Sequence, residues 1–368
     1  MASVRSIVDA LGESFPWELA DDDESGLLVG SPRASVEGVL CSIELTREVL
    51  EAATSSGFDL IVTHDPWPLL RACRPWDEST PAGSMATHAI RGGINIIACQ
   101  GNAAAADGGT ADLMARSLRL TVEGPLEPSP RAHLTKVVVF VPPGSVEDVS
   151  SAMAGAGAGI IGDYTRCSFR ATGTGTFMPG EASKPYTGEK GRLNRVDEVR
   201  LEMIAPSFLV RRVLSAMTAV HPYEEPACDV YRIENAVPWG KGRTGTLENE
   251  RPLGDILGDL ADWAGSSRAV LHGDASRRVS RVAVAPGNAG GLVRAAVEAG
   301  CDLLATGELD RQGVAEAREA GLDLIQLGHL ESERALVPAM VDGLAKRSES
   351  HGWGLRMTGY RDKEGYWG

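Results

Sequence analysis

Aromatic residues are scarce in this sequence: Phe, Trp and Tyr make up 5% of 368 residues, while glycine alone numbers 43. Scarcity of this kind follows a high-GC genome and points to no function. Long apolar runs are missing too. No stretch approaches the ~20 apolar residues that a bilayer span requires, and the N-terminal segment lacks a basic stretch followed by an apolar one. The expectation is a cytoplasmic chain with no membrane partner. A dense Lys/Arg stripe is also absent. With 36 basic and 50 acidic residues the net charge is −14, which argues against a nucleic-acid partner. A small-molecule substrate or ligand, anionic ones included, remains. The cysteines Cys41, Cys73, Cys99, Cys167, Cys228 and Cys301 form no CxxC pair and read as reduced thiols, several of them in apolar strands. Neither a nucleophile elbow nor a phosphate-binding P-loop is present.

What is there suits a soluble globular protein: 43% hydrophobic and 23% charged residues, in a chain long enough for two or three units. Ile7 to Leu11 predicts a helix, followed by Trp17, an acidic turn at Asp21-Asp22-Asp23-Glu24 and a short apolar strand, Gly26 to Gly30. Glu37 to Ile43 reads as a strand ended by Glu44-Leu45-Thr46, with Thr46 capping a helix over Arg47–Ser55. A strand over Asp59 to Val62 then arrives at Thr63-His64-Asp65-Pro66. A helix near Met85 to Arg91 leads to a strand, Ile94 to Cys99, ended by Gln100-Gly101-Asn102.

The last third repeats this order. Arg281 to Ala285 reads as a strand, Gly290 to Ala299 as a helix, and Gly300-Cys301-Asp302-Leu303-Leu304-Ala305-Thr306-Gly307-Glu308 as a strand with its tip. That segment matches Gly57-Phe58-Asp59-Leu60-Ile61-Val62-Thr63-His64-Asp65 at Gly, Asp, Leu and Thr, and an acid closes both. A helix, Val314 to Ala320, and a strand, Gly321 to Ile325, complete a second βαβαβ half.

Between the halves the pattern changes. Strands at Lys136 to Val141, Val196 to Ile204 and Asp229 to Ile233, with helices at Glu147 to Gly155 and Phe208 to Val220, suggest an inserted ferredoxin-like sandwich. The glycine-rich run Gly155 to Tyr164 follows a helix, so it reads as a compact turn and not as a dinucleotide fingerprint. The expected fold class is α/β: a duplicated core with lobes at 1–128 and 237–368, and an inserted α+β domain at 129–236.

Right-handed crossovers put the strand tips at one edge, bringing His64, Gln100, Glu308 and His329 toward a common crevice. His329 and Glu333 stand four apart on one helix face. A strand tip carrying His64 and Asp65, facing that pair, makes a mixed nitrogen/oxygen site for a divalent metal. A turn cap at His64 and a surface ion pair at His329–Glu333 are the plainer readings; their opposition across one crevice favours ligation. Asp65 is read either as a ligand or as a group orienting His64, and Glu308 either as a general base or as structural. Glu44, Gln100 and Asn102 are read as pocket residues. His221 and Glu224 are assigned to an oligomer contact or a roof over the site.

These motifs resemble the GTP cyclohydrolase I type 2 homologues, the Nif-three-like dinuclear-metal proteins. The resemblance rests on Thr63-His64-Asp65-Pro66, Thr306-Gly307-Glu308 and Gly328-His329-Leu330-Glu331-Ser332-Glu333. In the middle segment it rests on Gly155-Ala156-Gly157, Ile161-Gly162-Asp163-Tyr164, Cys167-Ser168-Phe169, Gly173-Thr174-Gly175-Thr176-Phe177 and His221-Pro222-Tyr223-Glu224-Glu225-Pro226-Ala227. It implies a two-lobed core, a PII/CutA-like insert and a homo-hexamer. It also implies a metal centre of Zn, Fe or Mn, with one or two ions per chain. The family's His-His-Pro is here His64-Asp65-Pro66, and its later His and Asp fall on Gln100 and Ala104, which weakens one metal position. The expected function is a metal-binding hydrolase acting on a small molecule, at a C–N bond of a heterocycle, nucleotide or amide. Asp65 or Glu308 would move protons. The alternative is a non-catalytic, oligomeric metal- or ligand-sensing scaffold.

Overall fold

The computed structural model describes residues 1–20, 25–67, 69 and 77–361; the acidic turn at 21–24 and Cys73 lie outside the described residues. The chain divides into two compact units, one of Met1–Arg131 with Pro238–Gly368 and one of Ala132–Val237. Both βαβαβ repeats therefore belong to a single unit. Among the described residues no helix is long and apolar enough to cross a membrane.

Each repeat contributes three parallel strands in sequence order. Gly38–Glu44, Leu60–Asp65 and Asn95–Ala98 lie side by side, flanked by Gly26–Val29 on one edge and Arg356–Gly359 on the other. Arg278–Asn288, Leu303–Glu308 and Asp323–Gln326 do the same in a six-stranded sheet. The central strands are covered on both faces, so Leu60, Ile61, Val62, Leu303 and Leu304 are all 0% exposed. Burying each such side chain contributes about 1.5–3 kcal/mol.

The sequence match between repeats extends to hydrogen bonds. Asp59 accepts the backbone amides of Glu37 and Gly38, at 2.9 and 3.3 Å; Asp302 accepts those of Ser280 and Arg281, at 3.0 and 2.9 Å. Each aspartate thus staples the start of its own strand to the start of the preceding one. The hydroxyls of Thr63 and Thr306 in turn bond backbone carbonyls at the two strand tips.

Helix Arg47–Ser55 forms as its pattern predicts. The Thr46 hydroxyl accepts the Val49 amide at 3.2 Å, Glu48 sits in the first turn, and Val49, Leu50 and Ala53 are buried. The strand before His64 runs further than expected, through Asp65, because Glu44 and Asp65 remain in register. Between 237 and 280, a stretch the sequence reading leaves unassigned, lie strand Arg243–Pro252 and helix Leu253–Ala264.

The second unit follows the order βαββαβ. Its antiparallel sheet runs Phe169–Phe177, Asn194–Pro206, Leu134–Val141, Cys228–Ile233, with helices Val146–Gly155 and Val210–Val220 packed on it. Within the glycine run, Gly157 and Gly159 have φ of +103° and +79° and turn the chain after the first of these helices. The His221 ring bonds the Phe140 carbonyl through Nε2 and accepts the Tyr223 amide at Nδ1, so it is a structural element of its own unit.

Candidate functional site

His64 reaches the site from the buried end of its strand and is 2% exposed. Its Nδ1 lies 2.6 Å from the carbonyl of Cys99, an oxygen that can only accept, so Nδ1 carries a proton. That leaves Nε2 facing Glu333 Oε1 at 3.3 Å. His329, on the short helix His329–Glu333, is held in the same manner: its Nδ1 is 3.0 Å from Glu308 Oε1, and its Nε2 faces Glu333 Oε2 at 3.5 Å. Each imidazole is therefore anchored at one nitrogen and presents the other to a single buried carboxylate. If both rings were neutral, two nitrogen lone pairs would point at a carboxylate with nothing between them.

The electrostatics follow from that packing. Burial opposes charging of His64, but Glu333 and the Cys99 carbonyl outweigh it and raise its pKa. Burial likewise works against His329, and Glu333 and Glu308 prevail. For Glu333 burial favours the neutral acid, yet the two imidazoles hold it below the ordinary carboxylate range. The side chains touch pairwise. Among the described residues, no group of three or more His, Cys, Asp or Glu is already spaced as a metal cage.

The backbone around the cluster has no room for side chains. Gly287 adopts φ +71°, and a Cβ there would stand 2.5 Å from Glu333 Oε1. A Cβ on Gly307 would meet Ser332 Oγ at 2.5 Å. The Ser332 hydroxyl accepts the Gly287 amide and donates to the His329 carbonyl, which ties the helix start to the strand Arg278–Asn288.

The other expected residues take distinct places. Glu308, at its strand tip, bonds His329 Nδ1. Asp65 accepts the Trp67 amide at 3.0 Å and lies within electrostatic reach of both imidazoles. Glu44, Asp65, Glu308 and His329 line an open cleft of about 890 Å³, along with Arg47 and Trp67. Gln100 caps the helix Gly101–Ala105 and lines a smaller cavity of about 250 Å³ on which His329 and Glu333 also border. Asn102 departs from its pocket reading. It is 0% exposed, donates to the Phe15 carbonyl at 2.8 Å and lines neither cavity, because the helix turns it into the core. Cys41 and Cys99 are buried, and desolvation pushes the Cys41 thiol up to about 12 and the Cys99 thiol higher still, so neither is a reactive thiolate.

Sequence reasoning missed Arg243. Its guanidinium binds Asp112 through two parallel bonds of 2.8 Å and bonds the carbonyls of Ala106, Gly240 and Gly242. No periodicity marks it, since a buried arginine reads as a surface one until its partner is known.

A family model described as Duf34/NIF3 (NGG1p interacting factor 3) matches residues 2–364. The chain is 35% identical over 290 residues to the GTP cyclohydrolase 1 type 2 homolog of Bacillus subtilis (strain 168), covering 78% of each chain. It is 36% identical over 341 residues to the protein of that name from Mycobacterium leprae (strain TN), covering 90% of this chain and 87% of the relative. Among solved structures it is similar to a Bacillus cereus protein related to NIF3. The TM-score is 0.87 and the identity 31%, over 99% of this chain and 98% of the other.

Proposed function

The chain belongs to the Duf34/NIF3 family, and from that premise we propose that it is a metal-dependent hydrolase of a small molecule, opening a carbon–nitrogen bond. One observation carries the reading: two imidazoles, each fixed at Nδ1, aim Nε2 at the same buried carboxylate. Such a convergence of lone pairs requires a positive charge at its centre. A proton meets that need in the metal-free chain, and a divalent ion (Zn, Fe or Mn) meets it with the ligand types such ions select. Glu333 Oε2, buried and without a hydrogen-bond partner, fits the same role.

His64, His329 and Glu333 would hold the ion, with Asp65 at the cleft edge as a further oxygen donor or a proton carrier. Neutral Gln100 and Ala104 offer no comparable ligand, so the donor set suits one ion per chain and not two. When bound, the ion supplies polarisation of a substrate carbonyl or an acidified water. The Cys99 carbonyl fixes the tautomer of His64, and Glu308 orients His329 and raises its basicity. The cleft beside Asp65 admits substrate, and the burial of Glu333 keeps bulk water from the inner side. Amides, heterocycles and nucleotides are the candidate substrates, GTP among them through the name its relatives bear.

We read the unit 132–237 as a ferredoxin-like, PII/CutA-like insert, supported by its βαββαβ order, and the assembly as a homo-hexamer, as the family resemblance implies. A second reading, a non-catalytic ligand-sensing scaffold, draws on the neutral Gln100 and Ala104 at the inner end of the site. Calorimetric titration of the metal-free chain with Zn²⁺, Fe²⁺ and Mn²⁺, followed by turnover assays across amides and nucleotides, separates them. One ion per chain, weakened at least tenfold by His64→Ala or Glu333→Gln, with metal-dependent hydrolysis, supports the enzyme. Uptake without turnover of any substrate supports the scaffold, and no uptake overturns the metal reading.

A further inference from the structure

The metal cluster makes no use of the motif His221-Pro222-Tyr223-Glu224-Glu225-Pro226-Ala227. Within its own unit, 132–237, that motif lines an open cavity of about 730 Å³. Such a volume suits a small molecule and far exceeds the need of one ion. The cavity lies on the sheet face that carries no helix. Val199 and Leu201 pack toward the helices, so Glu198, next in the strand, points the other way. On the neighbouring strand Gly173 pairs with Glu198, and a Cβ on Gly175 would collide with the Glu198 carboxylate. The two glycines thus clear the floor on which that carboxylate lies. The loop between strands Phe169–Phe177 and Asn194–Pro206 supplies a further wall. It is pinned by the Lys184 amide, which donates to Glu224 Oε2 at 2.9 Å, and by the Gly191 amide, which donates to the Pro179 carbonyl at 2.9 Å.

Aromatic faces and carboxylates meet in this space. The rings of Tyr186 and Tyr223 stand with centroids 6.0 Å apart and planes tilted by 47°. His221 fixes Tyr223, edge-on at 5.1 Å, while its Nδ1 accepts the Tyr223 amide. The Tyr223 hydroxyl donates to Glu198; burial first, and then that bond, pushes the phenol up to about 12, so it remains a donor at neutral pH. The other lone pairs of Glu198 are left for a ligand. In all, the lining holds four carboxylates, Glu181, Glu198, Glu224 and Glu225, against the one ammonium of Lys184. That balance disfavours an anion, and two tyrosine faces beside a carboxylate favour a cation with an apolar stem over a hydrated metal ion. We propose that this cavity binds an organic cation with a primary ammonium or guanidinium head. The head lies against the face of Tyr186 or Tyr223 and donates N–H to Glu198, and the stem runs along Phe177 and Met178. The site is separate from the metal cluster and does not depend on the hydrolase reading.

Calorimetric titration of the full chain with butylguanidinium, butylammonium, butylurea and butyrate tests this. Butylurea copies the shape of butylguanidinium without its charge. At least one of the two cations is expected to bind saturably, about tenfold or more tighter than butylurea, with butyrate rejected. Glu198→Gln, which keeps an acceptor for the Tyr223 hydroxyl, should weaken the cation about tenfold. Tyr186 is 64% exposed, so Tyr186→Ala should unfold at the same temperature as the unaltered chain. It should nonetheless weaken the cation about threefold, and Tyr186→Phe, which keeps the ring face, should retain it. Should Glu198→Gln fail to fold, the Tyr186 pair decides alone. N-acetylarginine amide carries the guanidinium on a peptide backbone. Binding as tight as that of butylguanidinium identifies a protein segment as the source of the head, and rejection identifies a free small molecule. No saturable binding of either cation, butylurea bound as tightly as the cations, or unchanged affinity in Tyr186→Ala or in folded Glu198→Gln would overturn the proposal.

Discussion

Arg243 and Asp112, 131 positions apart in sequence, form a fully enclosed bidentate pair in which the arginine also bonds the backbone carbonyls of Ala106, Gly240 and Gly242. Because the pair is buried, removing one member strands the other's charge. Arg243→Met should cost about 3–5 kcal/mol by urea denaturation, and Arg243→Met with Asp112→Leu should recover part of that loss. A single variant within 1 kcal/mol of the original would show that Asp112 finds solvent.

The His64–Glu333 contact makes metal-free stability depend on pH. His64 is raised above its ordinary 6.5, so its contribution is complete below that value and fades as pH rises through the higher folded pKa. Glu333 is lowered below its ordinary 4.5, so its contribution is present above that value and fades as pH falls. The stability difference between the metal-free chain and Glu333→Gln should therefore be largest between these two values and shrink on both sides. With Zn²⁺ in excess the alkaline decline should disappear, since metal replaces the proton. Unfolding free energies at pH 4, 6 and 9 check this.

Gly287→Ala should disturb the cluster directly. Its φ of +71° is strained for any side chain, and the added methyl meets Glu333 Oε1. A loss of about 1–3 kcal/mol and at least tenfold in metal affinity is expected. Gly291→Ala, in a position with open space, should stay within about 0.5 kcal/mol. Equal effects from the two would remove the steric argument.

Glu308→Gln separates two roles. As the group that orients His329, Glu308 should support metal affinity, and its loss should weaken binding by about 10–100-fold. As a general base alone, it would leave affinity intact and lower only turnover. Metal titration of this variant distinguishes the two.

Restoring the family pattern offers a gain of function. Asp65→His, Gln100→His and Ala104→Asp together should raise metal stoichiometry from one ion per chain toward two. Elemental analysis showing no change would mean that these positions do not surround a common ion.

Much of this arrangement was legible in the sequence. The matched Gly57-Phe58-Asp59 and Gly300-Cys301-Asp302 segments revealed the repeat, the four-residue spacing of His329 and Glu333 put both side chains on one helix face, and the handedness of the crossovers brought that face toward the strand tip of His64. Helix Leu253–Ala264 escaped notice although Leu253, Ile256, Leu257 and Leu260 carry the helical period and Gly265 ends it in the left-handed region. Strand Phe169–Phe177 was hidden for a physical reason: largely exposed and interrupted by Gly173 and Gly175, it lacks an apolar face. The anchoring of both imidazoles at Nδ1 could not be read at all, because one anchor is a backbone carbonyl and the other is a strand-tip carboxylate whose partner lies on a separate helix.

Strand Arg356–Gly359 pairs with Gly38–Glu44, and Arg356 also bonds the Ser56 and Gly57 carbonyls and stacks over Phe58. During synthesis that partner emerges roughly 15–60 s after the strand it covers, at ribosomal rates of about 5–20 residues per second. Until then the nascent first sheet carries an open edge, free to pair with a neighbouring chain. Completion of the first sheet therefore waits for this distant strand, and a stop codon shortly before Arg356 would leave a product prone to aggregate.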